Sequence, residues 1–203
     1  METETYKGLR IEYVRDEDPQ SPNDWGDDNV FLVADHRDFY VLPPNTKRGS
    51  GWDLESVYNE YNKTHHVFSL EAYIHSGVVL ALANEGNFPD MEWDVSRLGL
   101  VFVAKSEKRL RSSARKLAIG LIGEWNIYLS GEVYGYRILD KDGNDVASCY
   151  GFYGEDAVRE EAKAEADGVY SDIVKKHTEK KCAEITNRAP LSKRSSLSNR
   201  LMV

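Results

Sequence analysis

Leu98-Gly-Leu-Val-Phe-Val-Ala104 is followed at once by a long stretch running from Ser106 to Tyr128, and these two segments decide the fold. The first is a near-continuous apolar run, which suits a buried central strand. In the second, Leu110, Ala114, Leu117, Leu121, Trp125 and Tyr128 recur at spacings of three and four, the stripe of a helix packed on one face. Ser106 is the expected N-cap and Ser130-Gly131 the stop. Gly120 and Gly123 each cost such a helix about 1 kcal/mol against Ala, and the expectation is that another backbone approaches there.

Toward the C-terminus the period changes from helical to alternating. Tyr134, Tyr136 and Ile138 alternate, Asp140-Lys-Asp-Gly143-Asn-Asp145 turns, and Val146, Ser148, Tyr150 and Phe152 alternate back, a β-hairpin. A second long helix follows Gly154, with Glu155 and Asp156 in the first turn where carboxylates suit the dipole. Its stripe runs through Ala157 or Val158, Ala162, Ala166, Val169 or Tyr170, and Ile173, and Asp167-Gly168 is expected to interrupt it. Toward the N-terminus, Leu9–Val14, Val30–Ala34, Phe39–Leu42, Val67–Ile74 and Val78–Ala83 read as strands. Asp53 caps a short helix through Tyr61. The reading is an α+β domain over residues 1–179, a mostly antiparallel sheet with the two long helices on one face. Residues 180–203, rich in Ser, Lys, Arg and Asn, form a flexible basic tail.

Composition narrows the class. The chain has 203 residues, enough for a core that needs neither metal nor disulfide. Cys149 and Cys182 are too few for a secreted disulfide framework and have no metal-ligand spacing. The polar start Met1-Glu-Thr-Glu-Thr-Tyr6 is no signal peptide, and no apolar run approaches the roughly 20 residues of a membrane span. These features predict a soluble protein of the cytoplasm that does not engage membranes. Net charge is −8, but residues 175–203 carry eight Lys/Arg against two acids, so residues 1–174 carry −14. An acidic body of this kind does not bind nucleic acid broadly.

Each motif that suggests chemistry has a plainer explanation. Asp140-Lys-Asp142-Gly-Asn144 opens like a calcium loop, but its sixth position is Asp145 rather than Gly and its twelfth is Gly151 rather than Glu. A hairpin turn explains every residue, so no metal and no cofactor is expected. The acidic loop Asp16–Asp28 reads as solvated turn residues. His75-Ser76-Gly77 joins two strands, and neighbours on a strand point to opposite faces, which argues against a Ser–His dyad and for a partly buried histidine. Cys149, on an alternating strand among aromatics, is expected to be a small buried thiol. Lys105, Lys108, Arg109, Arg111, Arg115 and Lys116 load the start of the long helix with cations that oppose its dipole. They serve either a partner or the acids of the last helix, Glu155, Asp156, Glu160, Glu161 and Glu165.

Two stretches carry a resemblance. One is Ile11-Glu12, Asp16-Glu-Asp18-Pro19 and Pro22-x-x-Trp25; the other is Tyr128-Leu-Ser-Gly131-Glu132-Val-Tyr134-Gly135-Tyr136, Asp142-Gly143 and Ser148-Cys149-Tyr-Gly151-Phe152-Tyr153-Gly154. With His75-Ser76-Gly77 and Trp93-Asp94 between them, this layout resembles a group of small uncharacterised proteins encoded by bacteriophages and mobile elements, over roughly residues 8–170. The chain departs from that pattern at Tyr150, where Trp is frequent, at the residues after Trp25, and in its basic tail. The resemblance implies a setting inside a host cell and no defined activity.

The expectation is therefore a non-catalytic accessory protein that binds a host macromolecule, such as a defence or replication component. Trp25, Asp27, Asp28, His75, Trp93, Asp94, Lys108, Arg111 and Arg115 are the candidate contact residues. A DNA mimic falls within this class, since carboxylates can stand in for phosphates. Two alternatives stand beside it. A small hydrolase-like enzyme needs His75, Asp94 and Cys149 to converge. A nucleic-acid-binding protein needs the basic residues of 105–116 and the tail to form one exposed stripe.

Overall fold

The chain divides into two compact units, one built from residues up to Asp16 together with those from Tyr134 on, the other from Glu17 to Val133. The computed structural model describes residues 2–25, 28–47, 49, 51–75, 77–86, 88, 95–188 and 190, the side chain of Trp25 excepted. In chain order the elements are β1 (Glu2–Tyr6), β2 (Leu9–Arg15), a 3-10 turn (Pro22–Trp25), β3 (Val30–His36), β4 (Phe39–Val41), α1 (Leu54–Tyr61), β5 (His65–Ile74), β6 (Val78–Leu82), β7 (Val95–Ala104), α2 (Arg111–Leu129), β8 (Val133–Leu139), β9 (Asp145–Tyr153) and α3 (Glu155–Arg188).

The 17–133 unit is an antiparallel sheet of order β4-β3-β7-β5-β6. The apolar run 98–104 lies in β7, the middle strand, and both of its faces are covered. Leu98, Val101 and Val103 join Leu32, Leu70 and Leu80 under the Ala114, Ala118, Leu121, Ile122 and Trp125 face of α2. Phe102 joins Phe31 and Val33 on the opposite face, under Val57 of α1. Gly99 is required here, because a Cβ would stand 2.1 Å from the Val33 carbonyl oxygen. The β5–β7 register slips at the same place, between Leu70 and Glu71. Asp53 caps α1 as its sequence predicts, accepting from the Ser56 amide at 2.7 Å.

The other unit is an antiparallel sheet of order β1-β2-β8-β9 with α3 on one face. Leu9, Ile11, Tyr13, Tyr136 and Ile138 meet Val158, Ala162 and Ala166, where alanines let the helix lie close. The acidic N-terminus finds its use here. Glu2 and Glu4 are two residues apart on a strand, about 6.6 Å, and Arg159 and Lys163 are one helical turn apart, about 6 Å. The matched spacings pair Arg159 with Glu2 and Lys163 with Glu4, the latter at 3.1 Å.

Several expectations are corrected. There are two sheets instead of one, and each long helix covers its own. α2 begins at Arg111 with no side-chain cap, so Ser106 is not its cap and Leu110 is left 69% exposed. A Cβ at Gly120 or Gly123 meets nothing within 4 Å among the described residues, so the close backbone expected there is not found among them. α3 passes through Gly168 unbroken and continues to Arg188, so 180–188 are helical; 191–203 lie outside the described residues. Cys149 is exposed on β9 instead of buried, and Cys182 is partly buried.

Candidate functional site

A cavity of about 470 Å³ opens in the 17–133 unit where three elements meet. The 3-10 turn and the residue before it contribute Ser21, Asn23 and Asp24, β4 and the residue after it contribute Phe39, Tyr40, Val41 and Leu42, and the end of α2 contributes Trp125, Tyr128 and Leu129. Each is held by a local device. Asn23 turns its side-chain amide on Leu32 of β3, donating to the carbonyl at 2.7 Å and accepting from the amide at 3.3 Å. In this way the turn prolongs β4 along β3, past the point where the three-residue strand stops. Asp24 closes the turn by accepting from the Ser21 amide at 3.0 Å and hydroxyl at 2.7 Å.

Trp125 forms the floor. It is 3% exposed, and its ring meets Phe39 at 5.7 Å and Tyr128 at 5.6 Å, both edge-on. Its indole Nε1–H is buried without a hydrogen-bond partner among the described residues. A buried tryptophan ordinarily finds an acceptor, and an unmet donor costs about 1–3 kcal/mol.

The wall formed by β4 is a sheet edge. Leu32 gives its N–H and C=O to Asn23, on the side away from β7, so the alternation of an antiparallel ladder turns Ala34 toward β4. Ala34 pairs with Val41 and Asp35 with Tyr40, which directs the Tyr40 N–H and C=O outward. Tyr40 is 44% exposed; its side chain lies on the other face, where its hydroxyl accepts from Trp52 Nε1 at 2.7 Å. The stretch that supplies the turn and leads to β4 is acidic in sequence: residues 17–38 hold seven Asp and Glu against Arg37, which pairs with Asp38, and Asp24 lines the cleft itself. The C-terminal end of α2, the negative end of its dipole, adds to this field.

A smaller cavity of about 300 Å³ lies in the other unit, among Glu2, Tyr13, Arg15, Tyr134, Glu155 and Arg159. Its charges are largely engaged with one another: Arg159 pairs with Glu2 and stands 4.7 Å over the Tyr13 ring, and the Tyr13 hydroxyl donates to Glu4 at 3.2 Å. Burial first, and then the Glu4 charge, push the Tyr13 hydroxyl up to about 12. This cluster reads as the fastening of β1 to α3.

No family model, curated protein or solved structure matches the chain. Geometry alone therefore ranks the residues singled out by sequence. Asp28 is exposed, its carboxylate accepting from Asn45 at 3.2 Å and its carbonyl 3.1 Å from His65 Nε2. His75 is exposed at the β5–β6 turn rather than partly buried. Asp27, Trp93, Asp94 and the Trp25 side chain lie outside the described residues. Cys149 belongs to the unit that lacks His75 and Asp94.

The basic row does not form one helical stripe. Lys108 precedes α2, and its carbonyl is 3.0 Å from His66 Nε2. Arg111 donates to the Val67 carbonyl at 2.8 Å and covers the Phe68 ring, and Arg115 pairs with Glu85. Two of these cations are thus engaged by β5 and by the loop after β6. Sequence reasoning missed Asn23, Phe39, Trp125 and Tyr128 as site residues. Trp125 was visible only as one member of a core stripe.

Proposed function

We propose that this chain is a non-catalytic accessory protein of a bacteriophage or mobile element, that it works in the cytoplasm of a host cell, and that it binds a host protein through the cleft beside β4. The observation that carries the reading is the cavity itself, lined by Trp125, whose indole N–H is buried without a partner among the described residues, with apolar Phe39, Val41 and Leu129 facing polar Ser21, Asn23 and Asp24. Binding sites are concave and largely apolar, with a few polar groups that fix orientation, and aromatic residues dominate the energetics of protein contacts. Among the described residues no group of three or more His, Cys, Asp or Glu is placed to hold a metal, and no helix is long and apolar enough to cross a membrane. The acidic frame of the cleft favours a basic protein partner over a nucleic acid.

The test is capture from host extract by the tagged chain, with and without nuclease, beside the double variant Leu42→Glu/Leu129→Glu. Those leucines line the cleft and are only partly buried, so charge placed there spoils the surface while thermal unfolding reports the fold. The expected result is nuclease-resistant capture of a host protein by the parent chain and its loss in the folded variant. Equal capture by both contradicts the cleft as the binding surface.

A further inference from the structure

We infer that the occupant of the cleft is an extended peptide segment of a partner protein that adds as a strand to β4, seats an apolar side chain in the cavity above Trp125, and carries lysine or arginine on either flank. This rests on the reading of the cleft as the binding surface and specifies how that surface is used.

The backbone argument comes from how the sheet treats its edges. On the far edge, Asn126 of α2 donates to the Leu80 carbonyl of β6 at 3.0 Å and accepts from its amide at 2.8 Å. On the near side, Asn23 does the same for Leu32 where β4 no longer covers β3. Both side-chain amides mimic a passing strand. Tyr40 of β4 has its N–H and C=O directed outward and is exposed, the arrangement an added strand requires.

The side-chain argument comes from alternation. Phe39 and Val41 pack into the core beneath α2 and line the cavity; Tyr40 borders the cavity at the strand edge, with its ring against Trp52. A strand laid along β4 sends alternate side chains to the same two faces. Those on the α2 face enter the cavity beside Phe39, Trp125 and Tyr128. The charge argument is complementarity: seven acids against one base in residues 17–38 favour cationic flanks over anionic ones.

The experiment uses the full chain, labelled with nitrogen-15, and two pools of capped nonapeptides. Both pools carry mixed apolar residues at the centre; one has lysine flanks, the other glutamate. Two signals are followed: the indole N–H of Trp125, and hydrogen exchange at the Tyr40 backbone amide. The lysine pool should shift the indole signal and slow Tyr40 exchange about tenfold or more, as a new hydrogen bond does, and the glutamate pool should do neither. Tyr40→Pro is tolerated on an edge strand and removes the outward N–H along with the ring that meets Trp52. Tyr40→Ala loses the ring alone, so the proline variant should bind the lysine pool about tenfold more weakly than the alanine variant, and equal binding by the two overturns strand addition. An indole shift with Tyr40 exchange unchanged overturns strand addition and leaves the cleft reading standing. Tyr40 protection without an indole shift overturns the seating above Trp125. Equal response to both pools overturns the cationic flanks. No response of either signal to either pool overturns strand addition and counts against the cleft itself.

Discussion

The indole of Trp125 stands perpendicular to the ring of Phe39, centroids 5.7 Å apart, and this contact joins the end of α2 to the edge strand β4. One aromatic pair therefore both packs the core and shapes the cleft. The two roles separate under mutation. Trp125→Ala empties the floor and should cost about 3–5 kcal/mol in denaturant unfolding. Trp125→Phe keeps a ring and removes an unpaired donor, so the relief offsets lost contact area and stability should stay within about 1.5 kcal/mol of the parent.

Asn126 and Asn23 each satisfy a backbone N–H and C=O at once. Replacing either with Ala leaves both groups of Leu80 or Leu32 unpaired, at a cost of about 1–3 kcal/mol. Hydrogen exchange should quicken at the Leu80 amide in Asn126→Ala and at the Leu32 amide in Asn23→Ala. A variant with unchanged stability and exchange would contradict the clamp.

Gly120 and Gly123 lie on the exposed face of α2 with open space where a Cβ would go. Each Gly→Ala change should stabilise the fold by about 1 kcal/mol, from helix propensity and reduced freedom of the unfolded chain. Thermal unfolding of the single and double variants checks both size and additivity.

Tyr13 and Tyr136 are both pushed up to about 12, chiefly by burial, with Glu4 and Glu165 the leading charges beside them. The folded state thus holds these protons more tightly than the unfolded chain, whose phenols ionise near 10. Their contribution is complete below the unfolded value and is lost as pH rises through the folded one. Stability should therefore fall between about pH 10 and 12, with phenolate absorbance appearing as the protein unfolds. Tyr13→Phe and Tyr136→Phe should each flatten that fall.

Much of this fold is legible in the chain. The run 98–104 has no polar residue to give it a wet face, which is why it marks the middle strand β7. Gly143 and the flanking aspartates mark the β8–β9 turn for a local reason, and Asp53 marks the start of α1 for another. β1 left no apolar trace because Glu2-Thr-Glu-Thr-Tyr6 is held by backbone pairing to β2 and ion pairs to α3. The pairing of β2 with β8 splits the strands into two sheets, and no local propensity records a contact so distant in sequence. The start of α2 was misplaced because Ser106 has the chemistry of a cap but lies in a turn ahead of the helix. The cleft was hidden for a related reason. Helical periodicity assigns Trp125 to the core correctly and cannot show that its N–H has no acceptor among the described residues.

The most direct test of the cleft as the partner-binding surface is site-specific photo-crosslinking in host extract. A photoreactive phenylalanine is placed at Leu42, in the cleft wall, and in a second chain at Tyr170, exposed on α3 of the other unit. The account predicts one discrete host-protein adduct from position 42, suppressed by excess unlabelled chain, and none from position 170. An adduct from position 170 alone, or an adduct from position 42 that unlabelled Leu42→Glu/Leu129→Glu chain suppresses equally well, would contradict it.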